Sequence, residues 1–442
     1  MQNSCRARLG PLCLALSVLL GMTLAASRAA WGADTAQIAS ALQPFVDDHT
    51  LPGAVVLVAD KENILDLEAV GYADVAKKLP MRTDSLFWIA SMSKPITTTL
   101  LMMLVDDGKV NVDDPVEKYI PEFKDVQVAL SPASSQPAAP GGAIQGFVIK
   151  EDKFSADHGP LRKPIHPITV RNLLTHTSGL SKVTPPDQVK DKDLVPLGDA
   201  VAGYAKIPLL FEPGSKYDYS NHGMNTVGRI IEVASGMSYW DFMEQRLLKP
   251  LGMKDTTFWP DDEQYQRLAK GYIQADAEKH VMTEAKPLGF FTYPLSNRNR
   301  APFPAGGLFS TASDLSLFCR MLLNGGQYDG HRYLSMKSLR EMTSTQTGDL
   351  LNQGRNEDGY GFGWQTARKL RPTDKGLACP FGHGGAYGTE MSLDPSHSLI
   401  TIFMVQFEGG MKGEAARKIK SAFKNSVHEE FEKPGSGGVG SK

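Results

Sequence analysis

Strand-like segments sit at both ends of this chain and helical patterns fill the stretch between them. That distribution constrains the fold more than any other feature. "GAVVLVAD" (53–60) and "ILDLEAVGYAD" (64–74) read as a hairpin turning near "KEN". "YGFGWQTA" (360–367), "GTEMSLDP" (388–395) and "LITIFMVQF" (399–407) read as three further strands. Helices are expected at 36–48, 91–107, 221–235, 239–248, 313–324 and 413–431. Ser313 is the expected N-cap of one, Gly236 closes another and Pro250 stops a third. "ITVRNLLTHTSGL" (168–180) opens the mostly helical middle. The architecture is therefore discontinuous. The two ends (about 34–90 and 330–430) build one antiparallel sheet with flanking helices, and the middle (about 91–330) forms a helical lobe. The cleft between the lobes is the natural site. The fold class is α/β in the segregated, α+β sense.

Three stretches stand outside this scheme. Residues 126–165 break the rhythm with the turn-rich "SPASSQPAAPGG" and a possible strand pair in "AIQGFVIKEDKF", and read as a surface insertion. Residues 1–32 carry Arg6 and Arg8, then "LGPLCLALSVLLGMTLAA", then small residues, which is the pattern of a secretory signal peptide. The alternative is an uncleaved anchor helix, for which the apolar run is borderline in length. Cleavage predicts a periplasmic or secreted enzyme and no membrane contact beyond the leader. The tail 433–442, "KPGSGGVGSK", is expected to be disordered. Loss of the leader removes Cys5 and Cys13 and leaves Cys319 and Cys379. These two are expected to be unbridged, since Cys319 beside Phe318 and Leu322 reads as a small buried hydrophobe. A net charge of −2 gives no reason to expect nucleic acid or an anionic membrane as partner. No phosphate loop, HExxH pair or Cys/His cluster of metal spacing occurs, so neither cofactor nor metal is expected.

Three motifs carry chemistry. In "IASMSKPITTTLLMMLV" (89–105), Ser91 and Lys94 open a helix straight after strand-like "LFWIA". At i and i+3 they share a face, within reach of one another. A hydroxyl needs a base to become a nucleophile, a buried lysine needs a task, and the helix N-terminus favours developing negative charge. Ser421 and Lys424 match the same spacing, but in a helix that reads as structural. In "EPGSKYDYSNHGMN", Tyr219 and Asn221 lie at a loop-to-helix junction. A tyrosine near a lysine cation can have a lowered pKa and act as a base. In "FGHGGAYGT", His383, Gly384, Gly385 and Ala386 precede a strand. The glycines permit close backbone approach, and N–H groups there can stabilise an oxyanion.

Taken in order, these motifs resemble SxxK, YxN and K/H/W-x-G of one group of serine hydrolases. It includes class C β-lactamases, D-alanyl-D-alanine peptidases, penicillin-binding proteins and family VIII carboxylesterases. "LLTHTSGL" (173–180), "FEPGSKYDYSN" (211–221), "LGMKDTTF" (251–258) and "GGLFSTASDL" (306–315) support it, and the resemblance spans roughly 40 to 425. It implies a β-lactamase-like fold whose five-stranded sheet combines the two leading and three trailing strands. It implies Ser91 as the acylated nucleophile, Lys94 as its base and Tyr219 as proton shuttle to the leaving group and to the deacylating water. Asn221 would bond the acyl side of the substrate, and the N–H groups of Ser91 and Ala386 would form the oxyanion hole. Whether Lys94 or Tyr219 is the true base stays open, because a coupled pair titrates as a unit.

The substrate is a small ester or amide, and three readings compete. The first is a carboxylesterase on short-chain esters. The second is a β-lactamase or D-alanyl-D-alanine carboxypeptidase. The third is a sensor that is acylated once and barely turns over. The third motif favours the esterase. Where β-lactamases carry Lys-Thr-Gly to hold a substrate carboxylate, this chain has a histidine that is largely neutral at pH 7 and a glycine with no hydroxyl. Arg298 or Arg300 could restore the charge.

Overall fold

The computed structural model describes residues 37–130, 159–182, 192–276, 281–285, 291–350, 358–367, 377, 379–408 and 413–432. The expected leader, the centre of the expected insertion and the expected tail lie outside the described residues.

Eight strands form one antiparallel sheet: β1 (Gly53–Ala59), β2 (Ile64–Asp74), β3 (Leu79–Pro80), β4 (Asp358–Tyr360), β5 (Gln365–Ala367), β6 (Phe381–Gly384), β7 (Glu390–Asp394) and β8 (Leu399–Met404). Their spatial order is β4-β5-β6-β7-β8-β1-β2-β3, so the two ends of the chain meet where β8 pairs with β1, Leu57 opposite Ile402. Side chains of a strand alternate between faces, and β1 is apolar on both. Val55, Leu57 and Ala59 join the main core, while Ala54, Val56 and Val58 join the core on the opposite face. That second core is completed by α1 (Gln37–Asp47), through Ile38, Leu42 and Val46, and by α5 (Gly413–Val427), through Ala416, Ile419, Phe423 and Val427. On the inner face lie α2 (Ser93–Asp106), α3 (Asn221–Ser235) and α4 (Ala312–Leu323), whose apolar residues merge with the sheet into one continuous core.

The expected five strands are eight. The segment 360–367 is not one strand but two, β4 and β5. It reverses around Gly363, whose φ of 72° suits glycine and whose Cβ position is occupied by the Thr98 side chain. The glycine-rich stretch before residue 388 also contributes a strand, β6, in its first part. Phe381 and His383 are buried there in alternation, and Gly382 is needed because a Cβ would meet Met391 O at 2.6 Å. β3 is a two-residue edge strand ending in proline, a residue that edges tolerate because they need not donate outward. Two helix boundaries also differ. Thr311, not Ser313, caps α4, its hydroxyl accepting from Asp314 N. The helix beginning at Tyr239 passes through a π turn (Glu244–Leu248) and Pro250, and ends at Gly252, which alone takes the left-handed conformation (φ 77°). Cys319 and Cys379 are separate buried thiols.

Candidate active site

The site is built around a strained turn. Phe87–Trp88 pairs with Phe309–Ser310 and delivers the chain to Ala90, whose φ of 45° lies in the left-handed region that side chains disfavour. Glycines hold the turn in place. A Cβ on Gly385 would lie 2.6 Å from Ile89 O, so only glycine lets the third motif close onto the backbone leading to Ser91. The hydroxyl of Ser93 donates to Ala90 O (2.7 Å) and accepts from Leu308 N (3.2 Å), fixing the turn from inside. Ser91 then sits in the single 3-10 turn Ala90–Met92 that leads into α2, where first-turn N–H groups have no intrahelical acceptor.

Lys94 is fully buried. Its Nζ lies 3.0 Å from Ser91 Oγ, donates to Ala305 O at 2.7 Å and stands 4.7 Å from the centre of the Tyr219 ring. Burial pushes its pKa well below the ordinary lysine value, which favours the neutral amine, a base with a free lone pair. Tyr219 behaves oppositely to the sequence expectation. Burial pushes its phenol upward, and its hydrogen bond with Ser91 offsets this only in part. The expected lowering needed a lysine cation beside it, and the same burial that raises Tyr219 removes that cation. Burial therefore favours the neutral amine and the protonated phenol, each within proton-transfer reach of Ser91.

Asn221 is the first residue of α3 and not its cap. Ser220 caps the helix, accepting from Gly223 N at 3.1 Å. Among the described residues the Asn221 Oδ1 is buried without a hydrogen-bond partner, an acceptor held ready for an external N–H. Gly384 is roomy, its nearest neighbour to a Cβ being Thr389 O at 3.6 Å. Ala386 follows in the tight turn closed by Gly388 N to Gly385 O. His383 is buried on β6, and both ring nitrogens are engaged: Nδ1 with Gly384 O at 2.8 Å and Nε2 with the Tyr360 hydroxyl at 3.2 Å. Burial, with Lys94 nearby, pushes its pKa down to about 3, so it is neutral at pH 7.

The remaining candidates separate cleanly. Ser421 and Lys424 are exposed on α5, on the opposite face of the sheet. Arg298 lies over the Trp259 ring (5.2 Å). Arg300 is buried against Phe291 and donates to the carbonyls of Phe258 and Leu295. Arg298 is otherwise exposed, and the Arg300 Nε has no hydrogen-bond partner among the described residues. Two residues were not singled out from the sequence. His176, in the quoted "LLTHTSGL", is fully buried with φ 58°, and its ring packs 4.3 Å from that of Tyr219. Tyr360, assigned only to a strand, lies between His176 and His383. Neither had a strong local signal: His176 stands among Thr175, Thr177 and Ser178, and Tyr360 between Gly359 and Gly361.

Residues 38–424 match the family described as Beta-lactamase. Protein Rv1367c of Mycobacterium tuberculosis (strain ATCC 25618 / H37Rv) is 31% identical over 404 residues, covering 86% of this chain and 92% of the relative. A putative D-alanyl-D-alanine carboxypeptidase of Salmonella typhi is 28% identical over 390 residues, covering 80% and 79%. Among solved structures, EstCE1, a hydrolase with promiscuous acyltransferase activity, superposes with a TM-score of 0.65 at 23% identity, covering 88% of this chain and 97% of that one. Simvastatin synthase (LovD) from Aspergillus terreus gives 0.68 at 19% identity, covering 91% and 100%.

Proposed function

This chain belongs to the Beta-lactamase family of serine hydrolases, and from that premise we propose that it is a carboxylesterase acting on neutral short-chain esters through an acyl-enzyme on Ser91. Neutral Lys94 takes the Ser91 proton as Oγ attacks the ester carbonyl. The N–H groups of Ser91 and Ala386 receive the oxyanion. Tyr219, kept protonated by burial, gives its proton to the departing alkoxide and is reprotonated from Lys94. A water then loses a proton to the same pair and attacks the acyl-enzyme, and the pair passes that proton to the departing Ser91 Oγ as the acid is freed. Asn221 faces the acyl side, where its unpartnered oxygen accepts an N–H if the acyl group carries one and is left unfilled by a plain alkyl chain. The leader is read as an export signal that places the enzyme in the periplasm or outside the cell, and N-terminal sequencing of the mature protein tests this.

The observation that carries the substrate reading is the state of the third motif. His383 is neutral with both nitrogens engaged, and Gly384 has no hydroxyl. A charge-assisted hydrogen bond to a carboxylate is worth roughly 1.5–3 kcal/mol, so its loss costs carboxylate-bearing substrates about ten- to a hundredfold. Neutral esters lose nothing. The second reading, a D-alanyl-D-alanine carboxypeptidase, takes its support from the name of the Salmonella relative. One screen separates them. The kcat/KM for p-nitrophenyl acetate and butyrate should exceed that for a chromogenic cephalosporin and for a D-alanyl-D-alanine peptide. The reverse order would overturn the esterase reading.

A further inference from the structure

Behind the acyl-transfer residues lies a buried chain of hydrogen bonds whose direction is set at both ends. At one end, Ser220 N–H donates to His176 Nδ1 (3.2 Å), so the His176 proton resides on Nε2. That Nε2–H donates to the Tyr360 oxygen (3.1 Å). At the other end, Gly384 O accepts from His383 Nδ1 (2.8 Å), so His383 Nε2 is an acceptor. It takes the Tyr360 O–H at 3.2 Å. Each polar hydrogen in the chain has one acceptor, and all three side chains are buried. The chain ties the segment before α3, which carries Tyr219, to β6, which carries the third motif. Lys94, Tyr219, Tyr217 and Lys182 are the other titratable groups facing it.

We propose that Tyr360 is a positioning residue of this site: its hydroxyl bridges His176 and His383, which the backbone holds in opposite neutral tautomers, and so seats Tyr219 against His176 and leaves His383 no nitrogen for substrate. This rests on the acyl-transfer reading for its catalytic consequence, but the tautomers themselves do not. Burial disfavours protonation of both rings, in agreement with the geometry.

The decisive measurement is a long-range 1H–15N spectrum of protein labelled with 15N-histidine, assigned with His176→Gln and His383→Gln. The expected result is protonated Nε2 for His176, protonated Nδ1 for His383, and no titration of either between pH 5 and 9. Either ring in the other tautomer, or titrating in that range, overturns the proposal. Tyr360→Phe keeps the ring and removes the hydroxyl. It should lower kcat for p-nitrophenyl acetate about tenfold with KM changed less than about twofold, and should shift the 15N signals of both histidines. Unchanged kcat in a folded Tyr360→Phe overturns the positioning role. If that variant does not fold, the spectrum of the unaltered protein still decides. Fluorophosphonate labelling isolates the premise: no label on Ser91 removes the acyl-transfer reading while the tautomer result stands on its own.

Discussion

A buried lysine without a carboxylate partner is costly as a cation, and among the described residues Lys94 is met by the Ser91 hydroxyl, a backbone carbonyl and the Tyr219 ring. It is cheap as a neutral base. Two expectations follow at this scale. Lys94→Ala and Tyr219→Phe should each lower turnover on the order of a hundredfold, and the double variant little further, because the two exchange one proton. Independent, multiplicative losses would show separate roles. The pH profile for a neutral ester should then rise through an acid limb as Lys94 gives up its proton and stay level into mildly alkaline pH, since burial holds Tyr219 protonated. His176 and His383, both pushed down, should add no limb near the ordinary histidine value. A limb near pH 6.5 that disappears in His383→Gln would contradict that. The three motifs were legible in the sequence because each is contiguous. The protonation states were not. They depend on burial by Ala305, His176 and Tyr360, which converge from distant segments, and that convergence is why the Tyr219 expectation was reversed.

At the level of elements, the close approach of β6 to the Ile89–Ser91 turn decides whether the site exists. Gly385→Ala places a methyl against Ile89 O, a clash with backbone that no rotamer relieves. Overpacking of this kind costs about 1–3 kcal/mol, and here it also moves the third motif off Ser91. Gly385→Ala should lower both the melting temperature and kcat/KM, the latter by about a hundredfold. Gly384→Ala, one residue away, has room and should change neither appreciably. Thermal melts and ester kinetics on the two variants check this pair. The same glycines explain what the sequence concealed. Long strands such as β1, β2 and β8 announce themselves through β-branched apolar runs. β4, β5 and β6 are only three or four residues long, with Gly359 in β4 and Gly382 and Gly384 in β6, so their pairing comes from neighbours and not from local preference.

For the whole molecule, the discontinuous sheet with helices on both faces could be read from the order of patterns alone, because strands at the two ends have to pair. Its outer face holds something no pattern reveals. Asp66 and Glu68 on β2 lie close enough for their charges to interact, with Glu430 nearby, and the Ala39 N–H of α1 donates to Glu68. A cavity of about 610 Å³ lined by Ala39, Leu67, Glu68 and Arg82 opens there. Burial, with the two neighbouring carboxylates, pushes Glu68 up to about 7. Because the folded chain holds the Glu68 proton more tightly than the unfolded one, the associated stability is complete below about pH 4.5. It is lost as pH rises through about 7. Glu68→Gln should thus be more stable than the unaltered protein at pH 8, by about 1–2 kcal/mol after solvent screening, and no more stable at pH 4. Denaturant titrations at the two pH values measure it. The pairing of β1 with β8 carries a consequence for biosynthesis. β1 leaves the ribosome early with β2 as a neighbour, and its other edge stays bare until Leu399–Met404 has been translated. Closing so long a loop is entropically late. From the synthesis of β1 until that of β8 the nascent chain therefore carries an apolar central strand half paired, open to any factor that grips extended polypeptide.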